Sequence, residues 1–487
     1  MNWFAIALAM LPEHILLVGI VVLTVLALRP ETAESRSLAP AIVAVVVAVL
    51  AASFQWLIGF TYAPFPGHFS VDPATFAAKA IVLALAVPVL LMARSEAAER
   101  AFPILVLSSL YGVCLLFSAD SFLTLFLGLE LMSIPVYTLV VLAFRRPESA
   151  EGALKYLVLS GTATATLLMG VALLFGRSGS LGIAAFADAL GAADALAGVA
   201  VVLIVAAFFL KAAIVPFHAW APDAYEGAAV PVTAYMATIV KAGVLLAAVR
   251  LFGTVSVGHP LAEILAALPF ASIVWGNLAA MRQQSFRRMM AYSSIAHAGY
   301  LFYAFLGAGP GRFQAIAFYV LAYGLTNLLA FASLPSSEDD PARDNLDNFR
   351  GLFQRQPYAA LMIAVAMLSL AGIPPLPGFV AKFLVFKNVI AAGYTLYGVA
   401  GLVASYLGIY FYLRVIQYMF MSTEAPSAVL GPLERLARSA SLLCLVAVLL
   451  LSVFPGSVIT QLSTQPSAQT SAQTSTPPTA QASTTRF

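Results

Sequence analysis

Long apolar runs alternate with short polar connections along most of the chain, and the runs are of one size. A bilayer core about 30 Å thick is crossed by about 20 apolar residues in helical conformation, and about fourteen such runs can be marked. They lie at 9–29, 38–60, 74–93, 101–119, 121–143, 153–176, 196–219, 228–253, 260–281, 288–307, 312–334, 357–390, 394–421 and 439–461. The pattern predicts an all-α polytopic membrane protein of about fourteen transmembrane helices. Arg282, Arg287 and Arg288 crowd the gap between the ninth and tenth runs, and the twelfth run is too long for one straight helix. After Val458 the pattern stops. Thr464 to Phe487 is rich in Ser, Thr, Gln, Pro and Ala, has little apolar surface to bury, and is expected to be disordered.

Composition agrees. Hydrophobic residues make up 61% of the chain and charged residues only 10%, against about 25% charged in a soluble domain. Such a chain uses lipid as its solvent. The net charge of +3 is spread thinly, with no basic stripe for nucleic acid. Cys114 and Cys444 both sit inside apolar runs and provide neither a disulfide framework nor a four-ligand metal site. The first run lacks a basic leader, so no cleavable signal peptide is expected.

Arginines in the connections set the expected orientation. With the N-terminus outside, the inside connections hold Arg29 and Arg36, Arg94 and Arg100, Arg145 and Arg146, Arg282 to Arg288, Arg343, Arg350, Arg355, Arg435 and Arg438. The connection after the seventh run is the exception, with only Asp223 and Glu226. Both termini are expected outside.

The lysines follow the opposite rule. All six, Lys79, Lys155, Lys211, Lys241, Lys382 and Lys387, fall within or at the edge of apolar runs. Burying such a group costs about 2.5–3.5 kcal/mol on the insertion scale, and lysine, unlike arginine, can release its proton when desolvated. Lys79, Lys155 and Lys387 lie within reach of run ends and read as anchors whose heads snorkel to the surface. Lys211, Lys241 and Lys382 do not; Lys241 has Val230–Val240 before it and Ala242–Val249 after it. Glu130 is the acidic counterpart, without another acid in Phe122–Val141. Pairing with a buried lysine satisfies it, either as a switchable proton-binding pair or as a merely structural one.

Two runs are interrupted by backbone chemistry. In Leu210 to Trp220 (LKAAIVPFHAW), Pro216 removes a backbone donor and clashes one turn back. In Leu370 to Phe383 (LAGIPPLPGFVAKF), Pro374 and Pro375 lie among further prolines and glycines, which predicts two half-helices around an unwound segment. Non-helical backbone at membrane depth lines cavities or is buried in protein. Breaks at corresponding places in two halves point to inverted repeats with an ion site at the breaks. The expected division is therefore 1–100 (three N-terminal helices), 101–255 and 256–421 (two inverted five-helix repeats), 422–462 (a closing helix) and 463–487 (the tail). Each repeat ends alike, with Ala248-Val-Arg250 and Tyr412-Leu-Arg414. The lysines are offset, because Lys211 precedes its break while Lys382 follows its own.

His218, just after the first break, and His297, near Tyr292, Ser293 and Ser294, are candidates to extend a proton path or are packing residues. Thr326 and Asn327 are candidate water holders. No metal-ligand spacing, phosphate-cradling glycine loop or nucleophile–base constellation occurs in the sequence.

Together these segments resemble the proton-translocating membrane subunits of respiratory complex I and the related multisubunit sodium/proton antiporters. The likeness rests on Gly128 to Pro135 (GLELMSIP), Glu151 to Tyr156 (EGALKY), Lys211 to Glu226 (KAAIVPFHAWAPDAYE), Arg288 to Tyr300 (RMMAYSSIAHAGY) and Ala371 to Phe379 (AGIPPLPGF), over about residues 100 to 420. Within the family the chain is most similar to the subunit N branch of NADH–quinone oxidoreductase. Its lysine at 382 stands where the subunit M branch has glutamate, and no lateral helix like that of the subunit L branch is expected after its fourteen runs. Ala381 departs from the family's usual glycine.

The resemblance implies that Glu130 and Lys211 form the switch pair, Lys241 is the central proton carrier and Lys382 releases the proton. It implies supporting roles for Lys155, as a buried lysine, and for His218 and His297. It further implies a non-redox translocase subunit in a bacterial inner membrane, partnered by other membrane subunits of complex I. This chain would bind no cofactor, and NADH, FMN, iron–sulfur clusters and quinone would belong to the whole complex. A sodium/proton antiporter subunit and a membrane-bound hydrogenase subunit are the rival assignments.

Overall fold

The computed structural model describes residues 2–28, 35–93, 101–142, 147–192, 194–253, 260–307, 311–336, 343–422, 426 and 430–463. The loop arginines Arg29, Arg94, Arg100, Arg145 and Arg146, the side chain of Arg36, and the tail from 464 onward lie outside the described residues.

The fold is a helical bundle. Eleven described helices are long and apolar enough to cross a membrane, and a twelfth is added if one bent pair counts as a single span. Every expected run is nonetheless helical, and the smaller count has local causes. The first run is split at Met10 into Trp3–Ala9 and Leu11–Ala27, bent by 77°, with Pro12 opening the second helix where a missing N–H is tolerated. The tenth, Phe286–Tyr303, is buried on nearly all sides by protein and carries Arg287, His297 and several hydroxyls, so it is not apolar in the way a lipid-facing helix must be. The twelfth is two half-helices, Pro357–Ala371 and Pro377–Ala391. The last run is counted through Arg435–Val453, and a short helix, Pro455–Ser463, follows it.

One element departs from an all-α fold. Tyr62–Phe65 and Phe69–Val71 pair as a small antiparallel ribbon, turned at Gly67 with φ 77°. It bridges to Ala119 in the turn before Phe122–Leu142, and Ser121 of that turn bridges to Gly182. These connections share the ribbon face. On the opposite face Ser285 bridges to Asn345 and Ser336 to Gly431.

Burial differs sharply from helix to helix. Of the residues in the apolar stretch of each helix, 94% are buried in Val230–Phe252 and 89% in Gly311–Ala332, against 33% in the outer helices Leu38–Leu57 and Arg435–Val453. The two central helices therefore meet protein all round, and ionisable groups on them avoid lipid.

The two arginines that end the repeats make matching contacts. Arg250 donates to the Ala119 carbonyl at 2.9 Å, in the turn joining Ala101–Ser118 to Phe122–Leu142. Arg414 donates to the Met281 carbonyl at 2.6 Å, in the turn joining Pro260–Ala280 to Phe286–Tyr303. In each unit the last helix fastens the turn between the first two.

Candidate functional site

The first break forms as Pro216 requires. Ala195–Ala212 ends in Ala213, whose φ of 61° is left-handed and costs a non-glycine residue about 1–2 kcal/mol. Val215–Pro216 is a cis peptide, and helix resumes at Trp220–Gly227. The freed backbone groups find partners: the Trp220 indole donates to the Leu210 carbonyl at 3.0 Å, and the Val215 N–H donates to Ser272 Oγ at 2.8 Å. Lys211 occupies the last turn before the break.

Its ammonium meets Glu130 Oε1 at 3.0 Å. Glu130 is brought there by a tight helix crossing: a Cβ on Gly128 would lie 2.7 Å from Leu116 Cα, and one on Gly112 would collide with the Met132 nitrogen. Hydroxyls complete the pair. Thr164 donates to Glu130 Oε1 at 2.5 Å, Lys211 donates to Ser160 Oγ at 2.8 Å, and Tyr137 donates to the same Ser160 oxygen at 2.5 Å. The Lys211 side chain is 6% exposed and that of Glu130 22%. Such a pair is held by both charge and hydrogen bonds, and moving a charge nearby changes which partner keeps the proton.

Lys241 differs in kind. It follows one turn of π-helix, Met236–Val240, a distortion common at functional sites. Its ammonium donates to the Ser294 carbonyl at 2.5 Å and to the Ser294 hydroxyl, which in turn lies 3.3 Å from the Tyr225 hydroxyl. Among the described residues no carboxylate pairs with it.

From Ser294 polar groups continue toward the second break. His297, one turn on, exchanges hydrogen bonds with Tyr412 at 3.2 Å and Tyr319 at 2.8 Å, and Tyr412 is 2.5 Å from Ser293 Oγ. A small cavity follows, lined by His297, Tyr319, Tyr323, Thr326 and Ser369 and closed by Gly378 and Ala381. Thr326 and Ser369 hydroxyls are 3.1 Å apart across it. Asn327 donates to the Tyr323 carbonyl at 2.8 Å, while its own Oδ1 is buried without a partner among the described residues.

The second break turns at Gly372, φ 85°, with a cis Pro374–Pro375 bond. Lys382 reaches back from the second half-helix to donate to the Ala371 carbonyl at 3.2 Å, over the Tyr300 ring at 5.1 Å. The offset of the two lysines in sequence thus disappears in space. Lys211 belongs to the last turn of its first half-helix, and Lys382 bonds the last turn of the other, where the helix dipole favours a cation.

The remaining candidates lie elsewhere. Lys155 is not buried: its side chain is 42% exposed and paired with Glu151 at 2.7 Å and Asp223 at 2.6 Å. Arg288 completes this cluster through Asp223 at 2.7 Å and Glu226 at 2.9 Å. The acidic connection after the seventh run is therefore neutralised by cations from neighbouring elements. Burial alone would push the Asp223 carboxyl up, but its bonds to Lys155 and Arg288 outweigh this and hold it below the ordinary carboxylate range. His218 accepts a hydrogen bond from the Trp275 indole at 2.9 Å, apart from the Lys241–His297 line. Lys387 is exposed, as a snorkelling anchor should be. Lys79 is not such an anchor, because its side chain is 0% exposed and lies 2.6 Å from Glu13, itself 1% exposed. Thr164, Ser160, Tyr137, Tyr225 and Tyr412 went unread in the sequence, since a hydroxyl on an apolar helix gives no signal until its neighbour is known.

The family model described as NADH:quinone oxidoreductase/Mrp antiporter, transmembrane, matches residues 119–408. NADH-quinone oxidoreductase subunit N of Pelobacter propionicus is 40% identical over 420 residues, covering 85% of this chain and 89% of that protein. The chain belongs to the NADH-quinone oxidoreductase subunit N family. A chain of respiratory complex I from Thermus thermophilus superposes with a TM-score of 0.82 at 36% identity, covering 93% of this chain and 100% of its own. A chain of the Mrp complex from Dietzia sp. has a TM-score of 0.81 at 22% identity, covering 95% of this chain and 96% of its own, a likeness of fold alone. Glu130, Lys211, Lys241, His297, Lys382 and both breaks fall inside the family match, whereas Glu13 and Lys79 fall outside it.

Proposed function

We propose that this protein is a proton-translocating membrane subunit of NADH–quinone oxidoreductase, and that Glu130, Lys211, Lys241 and Lys382 carry its protons. The observation that carries this is the set of buried lysines with proton-exchanging neighbours: Lys211 on Glu130 and Ser160, Lys241 on Ser294, and Lys382 at the second break, with His297 and its tyrosines in the same half of the molecule as Lys382. NADH oxidation and quinone reduction, with FMN and iron–sulfur clusters, belong to other subunits; this one is non-redox and receives energy as a displacement of charge. A charge moved near Glu130 alters the hold of the carboxylate on Lys211, a proton passes by Lys241, and Lys382 gives it up. Moving one charge against 100 mV takes about 2.3 kcal/mol, and one pKa unit is worth about 1.4 kcal/mol, so a swing of about two units per step suffices.

The subunit sits in the bacterial inner membrane beside other membrane subunits of the complex, with both termini on the outer side. The ribbon face is then outside, and the face bearing Arg288, Arg343, Arg350 and Arg355 inside, in accord with the positive-inside rule. The 40% identity to a subunit N supports this assignment over an antiporter or hydrogenase subunit. The test is NADH-driven proton uptake in membranes carrying Lys211→Ala or Lys241→Met, with assembly of the complex verified. Loss of uptake with intact assembly is expected. Undiminished uptake in both variants would reduce the lysines to packing residues.

A further inference from the structure

We propose that Glu13 and Lys79 form a second proton-binding station, in the N-terminal helices, that exchanges protons with the ribbon face. The inference rests on the proton-translocating function above but concerns residues outside the family match.

Three observations carry it. First, the pair is completely withdrawn from solvent and lipid, 0% exposed at Lys79 and 1% at Glu13, with 2.6 Å between Lys79 Nζ and Glu13 Oε1. A buried ion pair adds little stability over apolar side chains of similar size, and an intramembrane ion pair is a functional candidate in its own right. Second, its construction repeats that of Glu130 and Lys211: a lysine, a glutamate and a hydroxyl from a third helix, here Ser118, whose Oγ is 3.4 Å from Glu13 Oε1. Glu13 lies in the first turn of Leu11–Ala27, just past the 77° bend, where a helix N-terminus favours an anion. Tyr111 and Cys114 of the intervening helix Ala101–Ser118 stand within electrostatic range of Glu13.

Third, polar groups lead from the pair to the surface. Thr75 is one helical turn from Lys79 toward the ribbon face; its hydroxyl donates to Asp72 Oδ1 at 2.7 Å and accepts from Arg250 at 2.8 Å. Arg250 also reaches Asp120, whose side chain is 44% exposed, at 3.9 Å. In the other direction the helix Pro73–Leu91 packs directly on the π-helical turn and on Lys241–Phe252.

The proton balance is simple. A proton arriving at the Glu13 carboxylate neutralises it and leaves the Lys79 ammonium without its counter-charge. Lys79 then gives a proton through water or the Thr75 hydroxyl to the Asp72 carboxylate. Neutral Glu13 passes its own proton to the Lys79 amine, and the ion pair re-forms with one proton moved outward.

Lys79→Arg is the discriminating variant, because arginine keeps the charge and the pair but does not release a proton. In assembled complex, Lys79→Arg is expected to lower NADH-driven proton uptake by about an order of magnitude or more. A structural clamp would leave uptake per assembled complex unchanged, and that result overturns the proposal. If the bulkier arginine prevents assembly, the neutral double variant Glu13→Gln with Lys79→Met takes its place. Loss of uptake in assembled complex then supports the station, and normal uptake rejects it. Lys241→Met measured in parallel separates the two levels. Normal uptake there refutes the general function, whereas loss there with full activity in the Lys79 variants refutes only this station.

Discussion

Glu130 and Lys211 are held by hydroxyls as much as by each other, and the second-layer groups set how easily the pair opens. Thr164 donates to the carboxylate oxygen that also faces Lys211. A hydrogen bond to a charged group contributes about 1.5–3 kcal/mol, so Thr164→Val should reduce the population of the paired state by roughly tenfold or more. We expect slower NADH-driven proton uptake in normally assembled complex, and an unchanged rate would assign the pair's geometry to packing alone. Lys241, by contrast, has Ser294 as its hydrogen-bond partner among the described residues, with the Tyr225 hydroxyl beyond it, which suits a carrier that must take and give a proton rather than hold one. Lys155 shows how an expectation carried over from the resemblance fails, because it is an exposed lysine and not a buried one. Its place near a helix start was legible, but Asp223 arrives from 68 residues away to meet it on the surface.

The breaks act as elements. In the second, Gly372 adopts a φ of 85°, and a Cβ there would lie 3.2 Å from Lys382 Cδ. Gly372→Ala therefore strains the backbone by about 1–2 kcal/mol and pushes on the lysine that serves the Ala371 carbonyl. Proton uptake should fall by about tenfold, the equivalent of one pKa unit, while the complex still assembles. Wild-type uptake would mean that the position of Lys382 at the break is immaterial. The prolines announced both breaks, because a missing donor and a steric clash are local properties of the sequence. What each broken end would meet was not local. The Trp220 indole, the Ser272 hydroxyl and the back-reaching Lys382 all come from chain beyond the break itself.

At the scale of the molecule, two five-helix units are related by how they close. Arg250 and Arg414 fasten equivalent turns on opposite faces. Arg250→Ala and Arg414→Ala should lower the thermal stability of the assembled complex by similar amounts, each losing charge-assisted hydrogen bonds worth about 1.5–3 kcal/mol apiece. A loss confined to one of them would break the equivalence. Orientation is tested separately. Cys114 and Cys444 are buried, so a cysteine introduced as Ser483→Cys should react with a membrane-impermeant maleimide applied from outside. Labelling only after the membrane is opened would reverse the topology proposed here.

The sequence by itself determined the solvent, the helices and their breaks. Each depends on nearest neighbours along the chain: apolar length against bilayer thickness, proline against helix, arginine in connections against lysine in spans. It also picked out Glu130, Lys211, Lys241 and Lys382, because a charge inside an apolar run is costly wherever the run goes. Only the tertiary structure decided partnership. Lys79 and Lys155 look alike in the sequence, each near a run end, yet one is sealed against Glu13 of the first run and the other is exposed beside Asp223. The ribbon of Tyr62–Phe65 and Phe69–Val71 and the burial of Phe286–Tyr303 by protein on nearly all sides were hidden for the same reason. Whether a helix faces lipid or protein, and which hydroxyl stands beside which lysine, is fixed by contacts between segments far apart in the chain, and hydropathy along one segment carries no record of them.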